Sequence, residues 1–137
     1  MPLGADMAVR AVSLRSPMGR VLGLGSAKDG TAHWWAQRVS AVALIPLTLW
    51  FMISLLTLPA LDYPRVRAWL SFPLNGFLAV LLVAVLTHHS YLGTTEVIED
   101  YVPSAGAKLF CLLLLRFVHV LVGGASIFAI LRVAFGS

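Results

Sequence analysis

The densest run of reactive side chains is Thr87-His88-His89-Ser90-Tyr91-Leu92-Gly93-Thr94-Thr95-Glu96-Val97-Ile98-Glu99-Asp100-Tyr101. On a helix, His89, Gly93, Glu96 and Asp100 fall at i, i+4, i+7 and i+11 and form a single stripe. His88 is turned about 100° away from that stripe. One face therefore carries an imidazole, a glycine that lets another group approach closely, and two carboxylates in line. An imidazole nitrogen in apolar surroundings suits axial ligation of a haem iron, whose potential the protein sets through ligand identity and burial. The plainer reading is a histidine that hydrogen-bonds a neighbouring helix.

The elements that hold this stretch follow from composition. Of 137 residues, 59% are hydrophobic and 12% are charged, too little polar surface for a water-soluble domain of this length. The apolar residues gather in three blocks, about 39–61, 69–93 and 109–135. A bilayer core of about 30 Å takes roughly 20 helical residues, and backbone groups in lipid must pair internally. The expected fold is thus an all-α integral membrane protein with three transmembrane helices and no strands, divided into a polar arm (1–38) and a transmembrane part (39–135). Pro46, Pro73 and Gly76 lie inside the blocks and mark candidate kinks. The single cysteine, Cys111, lies in the third block and reads as a small core residue, excluding a disulfide or a multi-cysteine metal site within the chain.

Flanking charge sets the expected orientation. Residues 1–38 hold Arg10, Arg15, Arg20, Lys28 and Arg38 against Asp6 and Asp29, whereas the first connection offers Arg65 and Arg67 beside Asp62. The N-terminus is therefore expected on the inner side, with the Thr94 to Lys108 connection beside it and the C-terminus outside. Arg132 near the exit of the third block runs against this pattern. An Arg-rich, Ser-containing start resembles a mitochondrial targeting segment, but Asp6 and the glycines between Gly19 and Gly30 argue against one, and no apolar signal core is present. The arm is expected to remain on the inner membrane face, with Trp34, Trp35 and Arg38 as interfacial anchors. The net charge of +4 is explained by topology, and no nucleic-acid-reading module is recognisable.

A six-coordinate haem needs a second ligand. The other intramembrane histidine, His119, is expected about 15 Å along its helix from Leu109, against about 6 Å between His89 and Gly93. That depth mismatch points to a ligand from another subunit. Arg116 and His119 share one face of the third helix, three residues apart, with Gly123 at the next step. An arginine there needs a partner.

The string His89-Ser-Tyr-Leu-Gly93 followed by Val97-Ile-Glu-Asp-Tyr101 resembles the membrane-anchor D subunits of succinate dehydrogenase, complex II. A second region agrees: His33-Trp-Trp-Ala-Gln-Arg38-Val-Ser-Ala41 with Leu44-Ile-Pro-Leu-Thr-Leu-Trp50-Phe51 resembles the first helix of the alphaproteobacterial form. Ser16-Pro-Met-Gly-Arg20 and Gly23-Leu-Gly-Ser-Ala-Lys28 resemble it too, so the likeness covers most of residues 16–108.

The resemblance implies a multi-helix anchor bundle formed with a second, C-type anchor subunit, one haem b between the two, and ubiquinone bound near the iron-sulfur subunit on the inner face. It assigns His89 as haem ligand, with His88 the secondary candidate because the histidine is doubled. It places Asp100 and Tyr101 at the quinone, Tyr101 donating a hydrogen bond to a carbonyl, and Arg38 beside a haem propionate or the quinone pocket. FAD and iron-sulfur clusters are implied on the partner flavoprotein and iron-sulfur subunits only, because the chain has neither a flavin-binding glycine motif nor a cysteine cluster. The implied place is a bacterial inner membrane. The same features fit the anchor of a quinol:fumarate reductase. A self-contained membrane cytochrome b and a cofactor-free packing subunit are the readings of a different class. The topology predicts that a cysteine placed at Lys28 and one at Glu99 react with an impermeant thiol reagent from the same side, and one at Arg65 from the other. Labelling of positions 28 and 99 from opposite sides would refute three spans.

Overall fold

The computed structural model describes residues 28–136. Contacts divide the chain at Gly30 into one unit of residues 1–30 and a second of residues 31–137. Only the first turn of a helix belongs to the described part of the former, and the fold is that of the latter. The expectations placed on the arm before Lys28, including the likeness at residues 16–27, lie outside the described residues. Four helices occur in order: α1 (Lys28–Thr57), α2 (Tyr63–Ser71), α3 (Pro73–Tyr101) and α4 (Ala105–Phe135). Among the described residues there is no strand. Segments Gly30–Thr57, Pro73–Tyr101 and Ala105–Phe135 are each long and apolar enough to cross a bilayer. The chain is a three-span, multi-pass membrane protein.

The helix ends differ from the hydropathy blocks, and each difference has a local cause. Residues 28–38, assigned to the arm, already belong to α1, because polar residues continue a helix beyond the apolar stretch without cost in water. At its other end α1 stops at Thr57 rather than near Leu61, since Leu58 precedes Pro59 and is pushed out of the helical region. Pro46 stays inside α1. Asp62 then caps α2, its carboxylate accepting from the Arg65 backbone N–H at 3.0 Å and pairing with the Arg65 guanidinium.

Trp69 to Ser71, expected in the second span, lie on α2 instead. Phe72 is extended ahead of Pro73, which occupies the first turn of α3, where its missing N–H costs nothing. Pro73 therefore starts a helix rather than kinking one. The side chain of Asn75 donates to the Trp69 carbonyl at 3.1 Å. A Cβ on Gly76 would come within 2.9 Å of the Leu70 carbonyl oxygen, so only glycine lets α2 fold so closely against the start of α3. The Trp69 ring stacks on Trp50 of α1, centroids 5.5 Å apart.

At the opposite end, α3 runs past Gly93 to Tyr101, so the connection expected over Thr94 to Lys108 shortens to Val102-Pro103-Ser104. Ser104 caps α4 through the Ala107 N–H at 3.4 Å, and the Lys108 ammonium donates to the Glu99 carbonyl at 2.7 Å. So short a turn makes α3 and α4 antiparallel neighbours.

Among the described residues the buried positions are few: Leu47, Leu70, Ala79, Leu82, Leu92 and Gly123, with Ser40 the buried polar one. Large apolar side chains cover the outside, which suits lipid or another subunit and not water. Without a hydrophobic force between helices in lipid, association relies on close backbone approach and polar contacts. The closest approach lies between α3 and α4, where a Cβ on Gly123 would come within 2.9 Å of Thr87 Cγ2 and 3.1 Å of Thr87 Oγ1. Thr87 is short and branched at Cβ, so it cannot swing clear. Gly123→Ala is expected to lower stability by about 1–3 kcal/mol, measured by denaturant titration in detergent, and Thr87→Ala in the same chain should recover part of the loss. A neutral Gly123→Ala would show that this crossing does not hold the helices.

Candidate functional site

The histidines sort onto different faces. His89 is half-buried and points at α1, its Nδ1 lying 2.9 Å from Ser40 Oγ. The Ser40 hydroxyl donates its one hydrogen to the Gln37 carbonyl at 3.0 Å, so toward His89 it can only accept. With the Ser40 hydrogen on Gln37, a neutral ring carries its proton on Nδ1 and keeps the Nε2 lone pair that a metal ion requires. A second hydrogen bond at the far ring nitrogen is the usual device for orienting a ligating histidine. His89 thus meets a neighbouring helix, as the plainer reading expected, and keeps a nitrogen for ligation.

The α1 face opposite His89 is a polar stripe, His33, Gln37 and Ser40, at i, i+4 and i+7. Gln37 Nε2 sits 3.4 Å from where a Gly93 Cβ would be, so the group that Gly93 admits is this amide. His33 Nε2 and Gln37 Oε1 are buried with no partner among the described residues. Orphan polar atoms of this kind mark a place where water or a polar ligand completes the bonding.

His119 departs from expectation. Its Nε2 is 3.3 Å from Ser90 Oγ, so it sits level with the His88 to Ser90 step. The mismatch was an artefact of counting from Gly93 and Leu109 when the helices turn at Tyr101 and Ala105. Its Nδ1 donates to the Leu115 carbonyl at 2.9 Å, so both ring nitrogens have partners within the chain. Its ring also meets Tyr91 edge-on at 5.7 Å. His88 is exposed, and lines a groove with Tyr91, Arg116 and His119. Among the described residues no three His, Cys, Asp or Glu side chains cluster as a metal site.

The remaining candidates lie apart from His89. Tyr101, the last residue of α3, is 81% exposed, and Asp100 beside it is exposed. Twelve residues separate His89 from Tyr101 on one continuous helix, about 18 Å. Arg38 is exposed with its guanidinium over the Trp34 ring, 5.5 Å from the centroid. Sequence reasoning missed Ser40 as the partner of His89. The signal was present in the 33-37-40 spacing, which puts three polar side chains on one face of an otherwise apolar helix.

Three antiparallel apolar helices with an oriented intramembrane imidazole and exposed carboxylate and phenol groups at one end define a membrane anchor built for assembly with other subunits. A sequence model of the family described as succinate dehydrogenase/fumarate reductase transmembrane subunit matches residues 13–123. The chain is 34% identical over 115 residues to the succinate dehydrogenase hydrophobic membrane anchor subunit of Paracoccus denitrificans, covering 84% of this chain and 88% of that one. It is 40% identical over 80 residues to the same subunit of Rickettsia bellii, covering 57% of this chain and 62% of that one. The succinate dehydrogenase membrane anchor subunit of Reclinomonas americana is 27% identical over 96 residues, 68% and 80% of the two chains. The chain belongs to the succinate dehydrogenase/fumarate reductase transmembrane subunit family, as a membrane-anchor subunit that assembles with the other subunits of complex II.

Ser40→Ala would remove the acceptor for His89 Nδ1–H and leave that donor unsatisfied, at an expected cost of about 1–3 kcal/mol. Ser40→Thr, which keeps a hydroxyl, should cost less. Equal denaturation midpoints for all three chains would show that Ser40 does not hold the ring.

Proposed function

We propose that this chain is the haem b-binding and ubiquinone-binding anchor of a succinate dehydrogenase, docking the flavoprotein and iron-sulfur subunits to a bacterial inner membrane and helping to pass electrons from succinate to ubiquinone. The observation that carries the reading is the His89 imidazole, oriented by the 2.9 Å contact of its Nδ1 with Ser40, which leaves Nε2 for a ligand. The residues fit a haem: one oriented nitrogen, small neighbours and orphan polar atoms on the facing stripe. His89 would supply one axial ligand and a C-type anchor subunit the other, and Arg38 would offer its cation to a propionate or to the quinone pocket. When bound, the haem supplies a one-electron centre between the subunits.

The quinone chemistry rests on the far end of α3. Tyr101 is exposed and free of internal hydrogen bonds among the described residues, so its phenol O–H can donate to a carbonyl of the substrate. Asp100 stands beside it and can orient that phenol or hold a proton for the reduced quinone. The positive-inside pattern would put this end on the cytoplasmic side, where the dehydrogenase docks. FAD and the iron-sulfur clusters belong to the partner subunits, so this chain oxidises no succinate itself. The succinate dehydrogenase names of its relatives favour this direction over that of a quinol:fumarate reductase anchor.

The test uses the complex assembled with its partner subunits. His89→Leu is expected to abolish the low-spin reduced-minus-oxidised haem spectrum and His88→Leu to preserve it. Tyr101→Phe removes one hydrogen bond, about 0.5–1.5 kcal/mol, and should raise the apparent KM for ubiquinone by roughly 2- to 10-fold with haem and assembly intact. An unchanged spectrum in the His89 variant would remove the ligand assignment, and unchanged quinone kinetics in the Tyr101 variant would leave it an interfacial anchor only.

A further inference from the structure

The groove between α3 and α4 holds a charge that neither the haem ligand nor the quinone contacts use. It has a volume of about 320 Å³ and is lined by Ala84 and His88 of α3 and by Arg116, His119, Gly123 and Gly124 of α4, among others. Arg116 forms no ion pair or hydrogen bond among the described residues. α4 has 31 residues from Ala105 to Phe135, so its midpoint is Val120, and Arg116 lies only about 6 Å along the axis from it. A hydrocarbon half-thickness of about 15 Å then puts its Cα about 9 Å inside the core. Arginines so placed face another protein group or a wet cavity.

No carboxylate of this chain serves it among the described residues. Asp62 is paired with Arg65. Glu96, the nearest acid along α3, is turned about 140° from the groove residue Tyr91 and shares the stripe of Gly93, which faces α1. Glu99 and Asp100 lie at the end of the helix. The groove floor is also shaped for a helix. A Cβ on Gly124 would meet nothing within 4 Å, and Ala84, Gly123 and Gly124 keep the surface low, as at close transmembrane crossings.

We infer that a transmembrane helix of another subunit packs into the α3/α4 groove and presents a carboxylate to Arg116. His119, tied to Ser90 and Leu115, stiffens the wall next to the guanidinium. His88 and Tyr91 supply further polar edges to the incoming side chain. A lipid phosphate is the poorer fit because it stays at headgroup level, whereas the polar lining continues deeper than Arg116, at His88 and His119. The inference rests on family membership as an anchor and is independent of whether His89 binds haem.

The experiment takes the whole complex. A photo-crosslinking residue in place of Val120, which lines the groove and is 67% exposed, should give on illumination an adduct with a transmembrane peptide of another subunit that contains Asp or Glu. Arg116→Gln should release that subunit in detergent at least about tenfold faster than the unaltered chain, since an unmatched buried carboxylate is then left behind. Arg116→Lys should retain most of the interaction. Arg116→Glu should be rescued by exchanging the crosslinked subunit's acid for lysine, which separates a lost ion pair from a misfolded chain. The inference is overturned by adducts with lipid only, by adducts only with a second copy of this chain, or by Arg116→Gln dissociating at the unaltered rate. It is also overturned if Arg116→Gln moves the haem spectrum while assembly is unchanged, because the carboxylate would then be a haem propionate.

Discussion

In lipid a helix gains nothing by hiding leucine from its surroundings, so these helices must be held by contacts that lipid cannot make. Those contacts gather at a single level of the bundle. Ser40 meets His89, Ser90 meets His119, and Gly123 accepts Thr87. The residues come from three helices but only from a short stretch of each, 87–90 on α3 and 119–123 on α4. A polar side chain in the belt is satisfied only when the opposing helix stands at the right height, so the same bonds specify register as well as adhesion.

The belt also separates two kinds of side chain along one helix. α3 passes through it with His89 and continues to Tyr101 at the polar end. The stretch between, Gly93 to Asp100, is an unbroken helix, and rigid separation along it keeps a half-buried imidazole in a low-dielectric place while an exposed phenol and carboxylate meet an aqueous partner. A loop beginning at Gly93 would have let the two move independently. The hydroxyls of Thr94 and Thr95 bond back to the Ser90 and Tyr91 carbonyls at 2.9 and 2.8 Å, which lets polar side chains continue the helix without searching for outside partners.

Much of this was legible in the sequence. Three spans followed from hydropathy, and the His89, Gly93, Glu96 and Asp100 stripe followed from helical period once the helix was continued past Gly93. Helix ends were not legible, because hydropathy reports where lipid begins rather than where the backbone stops being helical. Residues 28–38 and 94–101 are polar helix outside the apolar blocks, and that misplaced the turn between α3 and α4. The error carried forward into the depth of His119, which stands level with Ser90. The short helix α2 was hidden for the reverse reason: Trp69 to Ser71 look continuous with the apolar block beyond them, while the break is made by Pro73 acting on Phe72. The partner of His89 lies 49 residues away: the 33-37-40 spacing marks the polar face it comes from, but not which side chain that face meets.

The doubled histidine illustrates how one-residue steps divide labour on a helix. Two adjacent imidazoles are about 100° apart, so they cannot share a face, and packing gives them different neighbours. His89 is turned toward α1, where Ser40 meets its Nδ1, and His88 is turned toward the groove, where Arg116 and His119 stand. Losing the first imidazole would take a polar edge from the groove and losing the second would leave Ser40 without its cross-helix partner, so the two identical side chains differ only through the rotation of α3. The rotation in turn is held by Thr87, the residue just before them, locked against Gly123. The inward face is therefore fixed by bonds within the chain, and the outward face is left to be defined by what assembles against it.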